Sequence, residues 1–329
     1  MENGAVVHDA GDPKPRLTIV IPAFDEAQSI APLANELVTS LQTSQVDSYE
    51  VIVVDDGSSD GTWDEITQVS RADRRFKGLR LRRNFGKATA LSQGILRSRA
   101  DIIITMDADL QDDPSEIPRF IDALDSGYDL VCGWKRLRRD PWSKKFPSKV
   151  FNVVTSRLTG VRLHDFNCGY KAYRAEVLRA VPIYGELYRY IPALAHSRGF
   201  RITEIAVHHN PRRYGKSKYG LERFTRGILD LFTVLAITQY ASRPAHLFGG
   251  IGLFIGTISG IALMYLLYLK LFVGPIGTRP LLQVSLMLAI VAIQFVLFGV
   301  LAELILQRRG PLNGENLTTD QCGFAEPPR

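Results

Sequence analysis

Two stretches toward the C-terminal end carry no charge at all: "LFGGIGLFIGTISGIALMYLLYL" (247–269) and "LLQVSLMLAIVAIQFVLFGVLA" (281–302). At 1.5 Å per residue each makes a helix of about 33 Å, enough to cross a hydrocarbon core of about 30 Å. Uncharged runs of this length exceed the usual core helix of a soluble protein. A hairpin of two transmembrane helices is therefore expected over residues 244–306. Basic residues orient it. The segment ahead of the first run is rich in Lys and Arg, Arg308 and Arg309 follow the second, and only Lys270 and Arg279 lie between them. The bias keeps both ends on the cytoplasmic side. Gly252, Gly256 and Gly260 recur at every fourth position of the first run. Small residues so spaced allow close approach by the second helix or by another copy of the chain, in a homo-oligomer.

The rest of the chain has a different character. Residues 1–15 are polar and read as a disordered N-terminus rather than a signal peptide, and 307–329 as a disordered cytoplasmic tail. A net charge of +6, scattered over 329 residues, suits an anionic lipid surface and argues against nucleic acid. Cys132, Cys168 and Cys322 are too widely spaced for a disulfide framework or zinc site, as in a reducing compartment. From Leu17 to about Gly133, apolar runs ("LTIVIPAF", "YEVIVVDDG", "LRLRR", "DIIITMDAD", "DLVCGW") alternate with helix-length stretches such as "SIAPLANELVTSLQ" and "KATALSQGILRS". That alternation predicts an α/β domain over 16–220, its mostly parallel, Rossmann-like sheet covered on both faces. Residues 221–243 follow with charges on one side of an apolar helical pattern. They suit an amphipathic juxtamembrane helix in the interface, or a helix packed on the sheet. The segment "WKRLRRDPWSKKFPSK" (134–149) sets seven Lys/Arg against one Asp among aromatic residues. It is either a solvated loop or a surface that meets phosphate head groups.

In open α/β sheets, ligands bind at the carboxyl ends of the strands. There this chain places Asp25-Glu26, Asp55-Asp56-Gly57-Ser58, Asn84-Phe85-Gly86-Lys87 and Asp107-Ala108-Asp109. Four polar strand ends point to one crevice. "ITMDADLQDDP" (104–114) gathers Asp107, Asp109, Asp112 and Asp113 after a buried strand, which repulsion and desolvation oppose unless the loop is solvated or a cation is bound. Asp107 and Asp109, one small residue apart, are hard oxygen ligands suited to Mg²⁺ or Mn²⁺, with substrate phosphates completing the shell. One or both of Asp112 and Asp113 precede "PSEIP" as helix caps. Asp56 is placed to accept hydrogen bonds from a nucleobase imide, while Asp55 or Ser58 is equally suited to cap the next helix. Neither a Walker P-loop nor a G-x-G-x-x-G after the first strand is present, which argues against an NTPase or a dinucleotide oxidoreductase.

Assembled, "VIPAFDE", "VVDDGSSDGT", "RNFGKATAL" and "MDADLQDDP" resemble the inverting family 2 glycosyltransferases with their GT-A fold. "DLQDDPSEIP", "HDFNCGYKAYR", "RRYGKSKYG" and the two apolar runs narrow the likeness to the polyprenyl-phosphate branch. That branch includes dolichyl-phosphate mannose synthases and undecaprenyl-phosphate glucosyltransferases. The resemblance implies a metal-dependent enzyme that moves one hexose from a nucleotide-sugar of the UDP-glucose or GDP-mannose type to polyprenyl phosphate. It further implies donor contacts at Pro22, Asp25, Glu26, Asp56, Asn84, Lys87, Asp107, Ala108, Arg212 and Lys218, with metal at Asp107 and Asp109. Arg136, Lys144 and Ser148 would receive the lipid phosphate. Asp165 and Asp109 would be catalytic, Asp165 matching an Asp-x-x-x-Gly-aromatic-basic pattern that ends at Gly169-Tyr170-Lys171. Such a protein would be integral to a bacterial cytoplasmic membrane, its catalytic domain in the cytosol, with flipping of the product left to a separate flippase.

Two other readings compete. A processive polysaccharide synthase would carry a Q-x-x-R-W motif and a larger membrane channel, whereas this chain has neither. A non-catalytic sugar-nucleotide-binding membrane protein would have no need of the acidic pair together with Asp165.

Overall fold

The computed structural model describes residues 14–44, 46, 48–136, 152–181, 187–211, 213, 234, 244–277 and 279–308. They form two compact units, divided after Val234.

The first unit is built on a seven-stranded sheet of order β3-β2-β1-β4-β6-β5-β7. Its strands are β1 (Leu17–Ala23), β2 (Tyr49–Asp55), β3 (Phe76–Arg80), β4 (Ile102–Thr105), β5 (Leu130–Trp134), β6 (Lys171–Arg174) and β7 (Ile202–Ala206). β3, β2, β1 and β4 run parallel to their neighbours. β6 is antiparallel to both β4 and β5, and β5 and β7 are again parallel. The mostly parallel sheet expected from the sequence is thus present, with one reversed strand among the seven. β2 is buried along its whole length, the pattern expected where helices cover both faces.

Helices α1 (Ala27–Thr43), α2 (Thr62–Ala72) and α4 (Ile117–Asp125) contribute to the larger core. Leu33, Leu37, Ile66, Phe120 and Leu124 meet Leu17, Ile19 and Ile21 there, each fully buried apolar side chain being worth about 1.5–3 kcal/mol. Helix α3 (Lys87–Arg97) covers the opposite face, where Ala90 packs with Ile52 and Val54. It lies so close that a methyl on Gly94 would stand 2.4 Å from Val20 Cγ1.

The sequence reading is corrected at β3. "LRLRR" (79–83) shares only Leu79 and Arg80 with the strand. The pairing runs from Phe76↔Val51 to Arg80↔Asp55, because Phe76 supplies the buried anchor that Arg82 and Arg83 lack. β6 and β7 were not foreseen.

The second unit is a pair of helices, Pro244–Phe272 and Pro280–Arg308, both long and apolar enough to cross a membrane. Their outer surface is apolar, with Leu253, Phe254, Ile261, Met264, Ile293 and Leu297 exposed. Between them the contact is close: a methyl on Gly252 would meet the Ala292 carbonyl oxygen at 2.8 Å, and one on Gly256 would touch Ala292 Cβ at 3.5 Å. Gly260 faces nothing within 4 Å, so the small-residue row serves the second helix at two of its three positions. The buried Ser259 hydroxyl donates to the Ser285 carbonyl at 2.8 Å. Glu303 accepts from the Ala245 backbone N–H at 3.2 Å, so a carboxylate answers the positive end of the neighbouring helix.

Candidate functional site

The polar strand ends converge as the sequence implies, and their first partners are one another. After β1, Asp25 adopts a left-handed conformation (φ 50°), tolerable for aspartate. Its N–H donates to Ser58 Oγ at 2.9 Å, and its Oδ1 accepts from the Ser59 N–H at 2.9 Å. The Glu26 N–H donates to Thr62 Oγ1 at 2.8 Å. After β2, the fully buried Asp55 accepts from the Ser58 N–H at 2.8 Å and pairs with Arg80 at 3.3 Å. It therefore pins the turn rather than capping α2. Asp56 accepts the Phe85 N–H at 2.8 Å and the Gly86 N–H at 2.9 Å. Burial pushes its carboxyl upward, against the pull of those two amides.

Gly57 sits at the closest approach of the two turns. Its φ is +72°, and a methyl there would lie 2.4 Å from the Arg83 carbonyl carbon. Gly57→Ala is expected to cost about 1–3 kcal/mol, read as a lowered Tm in thermal unfolding; an unchanged Tm would show that the two turns move apart to take the methyl.

After β4 the chain turns through Asp107, Ala108 and Asp109, with Leu110 left-handed (φ 60°) and completely buried. Asp109 accepts from the Gln111 N–H at 3.3 Å. Asp107 forms an ion pair with Lys87, the first residue of α3. Burial opposes a charge on Asp107, but Lys87, Lys135 and Lys171 outweigh it and hold the carboxyl at about 2. Asp107 is thus ionised at any physiological pH.

Asp113 caps the short 3₁₀ turn Pro114–Glu116 through the Ser115 N–H at 2.9 Å. Asp112 does not cap. Only 1% exposed, it accepts the Asp107 N–H at 3.2 Å, pairs with Lys135 at 2.8 Å and bridges by backbone to His209. Desolvation disfavours the buried Lys135 ammonium, yet Asp112 more than offsets it and keeps the amine protonated. The residues before β6 fold over this turn. Asp165 is buried and accepts from the Asn167 N–H at 3.1 Å. The buried Lys171 donates to the carbonyls of Phe166 and Cys168, closing the loop, while Thr105 holds the Gly169 carbonyl at 2.8 Å. A methyl on Gly169 would lie 2.9 Å from both Asp107 Oδ1 and Lys87 Nζ.

Tyr188 and Arg189, both buried, join from the turn Leu187–Tyr190. Lys87 lies 5.6 Å above the Tyr188 ring, and Arg189 Nε donates to the Tyr188 hydroxyl at 3.2 Å. At the rim, Arg136 is exposed and stands 5.8 Å above the Trp134 ring, which stacks on His164 at 4.2 Å. Cys132 and Cys168 are free and buried, and burial pushes both thiols up to about 12.

Of the residues named from the sequence, Pro22, Asp25, Glu26, Asp56, Asn84, Lys87, Asp107, Ala108 and Asp109 lie on the ends of β1, β2 and β4 or on the turn into α3, with Asn84 exposed. Asp165 lies in the loop ahead of β6. Lys144, Ser148, Arg212 and Lys218 fall outside the described residues, as does the 221–243 segment apart from Val234. Lys135, Tyr188, Arg189 and the hub role of Asp112 were missed, and Lys171 was named only as the basic end of the Asp165 pattern. The one available signal was a lysine directly after a strand, Lys135, inside a run that otherwise reads as surface.

Residues 18–181 match the model of the glycosyl transferase family 2. Dodecaprenyl-phosphate galacturonate synthase of Rhizobium johnstonii is 41% identical over 295 residues, covering 88% of this chain and 87% of that protein. Undecaprenyl-phosphate 4-deoxy-4-formamido-L-arabinose transferase of Edwardsiella ictaluri is 34% identical over 294 residues, covering 88% of each. Among solved structures, glucosyl-3-phosphoglycerate synthase of Mycobacterium tuberculosis with Mn²⁺, UDP and phosphoglyceric acid aligns with TM-score 0.52. At 19% identity over 68% of this chain and 78% of that one, it is a likeness of fold.

Proposed function

Because the chain belongs to the glycosyl transferase family 2, we propose that it is a membrane-anchored, inverting transferase moving one sugar from a nucleoside diphosphate sugar to polyprenyl phosphate. The observation that carries this reading is one conjunction. An acidic pair, with Asp107 held ionised, stands at the carboxyl end of β4, in a chain that also bears two helices long enough to span a bilayer. The donor is of the UDP-glucose or GDP-mannose type in its nucleotide, and galacturonate, the sugar in the name of the 41% identical relative, heads the sugars to test.

Asp107 and Asp109 fit a hard divalent cation, since both are oxygen donors and Asp107 is held ionised. Two carboxylates suit Mg²⁺ or Mn²⁺, whose remaining positions are filled by water and phosphate. When bound there, such an ion would neutralise the charge that grows on the departing diphosphate. Asp25, Asp56 and the turn at Asn84 border the nucleotide, Arg212 and Lys218 attend the diphosphate, and Arg136, Lys144 and Ser148 receive the lipid phosphate. That phosphate is a monoester with a second pKa of about 6, so near neutral pH it is already largely an oxyanion. It forms the new bond to the anomeric carbon as the bond to the diphosphate oxygen breaks on the opposite face. No strong base is required, and Asp165 orients the acceptor for in-line attack. The catalytic unit works on the cytosolic side, and the product is flipped by a separate protein.

The test uses full-length protein in nanodiscs, undecaprenyl and dolichyl phosphates, and a panel of UDP- and GDP-sugars including the galacturonate donor. One sugar per lipid is expected, with loss of transfer on chelation. Repeated addition would favour a processive synthase, and binding without turnover a non-catalytic module. Asp165→Asn is expected to lower kcat about 10²-fold or more with little change in donor KM. Near-full turnover would remove Asp165 from the mechanism.

A further inference from the structure

Three lysines surround Asp107, and two of them are committed elsewhere. Lys135 is pinned by Asp112 at 2.8 Å, and Lys171 donates to the carbonyls of Phe166 and Cys168. The third, Lys87, pairs with Asp107 itself. This ion pair is confined, since Gly169 leaves no room for even a methyl beside it and the Tyr188 ring lies 5.6 Å from the ammonium. A divalent cation drawn to Asp107 would meet the Lys87 ammonium already on its Oδ1, and the two positive charges repel at that distance.

We propose that Lys87 is a built-in counter-cation for Asp107, which must be displaced when metal binds and which therefore makes metal and nucleoside diphosphate bind as a unit. The inference rests on the reading of Asp107 and Asp109 as metal ligands. Charge supplies the reason. Two carboxylates and one ammonium carry a net −1, and adding a divalent ion alone leaves +1 near the buried Lys171 ammonium. The diphosphate of the donor reverses that excess and offers the displaced ammonium a new anionic partner. Lysine is suited to the exchange, because its ammonium is a point charge on a flexible four-carbon stem. Here the stem is rooted on the first turn of α3, directly after Gly86 with its φ of +94°. The free protein thus binds metal weakly, and metal and nucleotide strengthen one another by the same factor.

The measurement is Mn²⁺ binding to the full chain in nanodiscs, followed by the electron paramagnetic resonance signal of free Mn²⁺, with and without UDP or GDP. For the wild type, nucleotide is expected to tighten Mn²⁺ binding by about ten-fold or more. Lys87→Met is expected to tighten Mn²⁺ binding to the nucleotide-free protein by about ten-fold and to shrink the nucleotide effect accordingly. Lys87→Arg, which keeps the charge, is expected to stay near the wild type, and thermal unfolding confirms that both variants fold. Unchanged or weaker Mn²⁺ binding by nucleotide-free Lys87→Met, with nucleotide-dependent binding intact, would overturn the role given to Lys87. No Mn²⁺ binding by the wild type even with nucleotide would instead overturn the metal site itself.

Discussion

Asp107→Asn is expected to fold and enter membranes as the wild type does, and to transfer sugar roughly 10²–10³-fold more slowly. The substitution keeps the shape of the side chain and removes the charge. Asp107 stays ionised because three lysines outweigh the cost of its burial. An amide there would bind the ion less well and leave the leaving diphosphate poorly neutralised. Release of nucleoside diphosphate on addition of polyprenyl phosphate measures the effect, and a rate within three-fold of the wild type would refute it. The same variant has a pH signature. A carboxyl held at about 2 stabilises the folded state fully above its ordinary value near 4, and that contribution is lost as the pH falls toward 2. The difference in urea midpoint between wild type and variant should therefore shrink from about pH 5 downward.

The second large effect falls on stability. Asp112→Ala is expected to destabilise the catalytic unit by about 3–5 kcal/mol, because it strands the buried Lys135 ammonium without its carboxylate. Adding Lys135→Met to Asp112→Ala should recover most of that loss, since an apolar pair can replace a buried ion pair at little cost. Activity should not return in parallel. Asp112 also takes the Asp107 N–H, so the doubly substituted protein loses the support beneath the acidic pair and should retain a raised donor KM. Denaturant unfolding and donor kinetics on the three variants separate these effects. Recovery of both stability and donor KM would mean that Asp112 serves Lys135 alone.

Both predictions depend on contacts that no local pattern announces. β1, β2, β4 and β5 are legible because strands covered on both faces become near-continuous apolar runs, and the two spans because a bilayer tolerates no charge within them. β6 was illegible for the opposite reason. Its four residues, "KAYR", include a lysine that is only 2% exposed, and only the loop that folds around that ammonium makes the position apolar enough to pair. The end of β3 was misread because "LRLRR" alternates as well as "FKGLR" does, and the choice depended on which residue reached the core beside Val51.

The same division runs through the site. The kinds of side chain at each strand end follow from the linear order, because in a parallel sheet every such end emerges on one edge. The acidic pair, the glycine turns and the apolar hairpin could therefore be read directly. The pairing of charges could not. Lys87 meets Asp107 across 20 positions, Lys135 reaches Asp112 from the end of another strand, and Asp112 and Asp113, adjacent and alike, part into a buried hub and a half-buried cap. A carboxylate becomes a ligand, a cap or a counter-ion according to the depth and the neighbours that packing assigns it. Those are properties of the folded chain, since electrostatic energy depends on distance through space and on the surrounding dielectric, and neither is encoded at a single position.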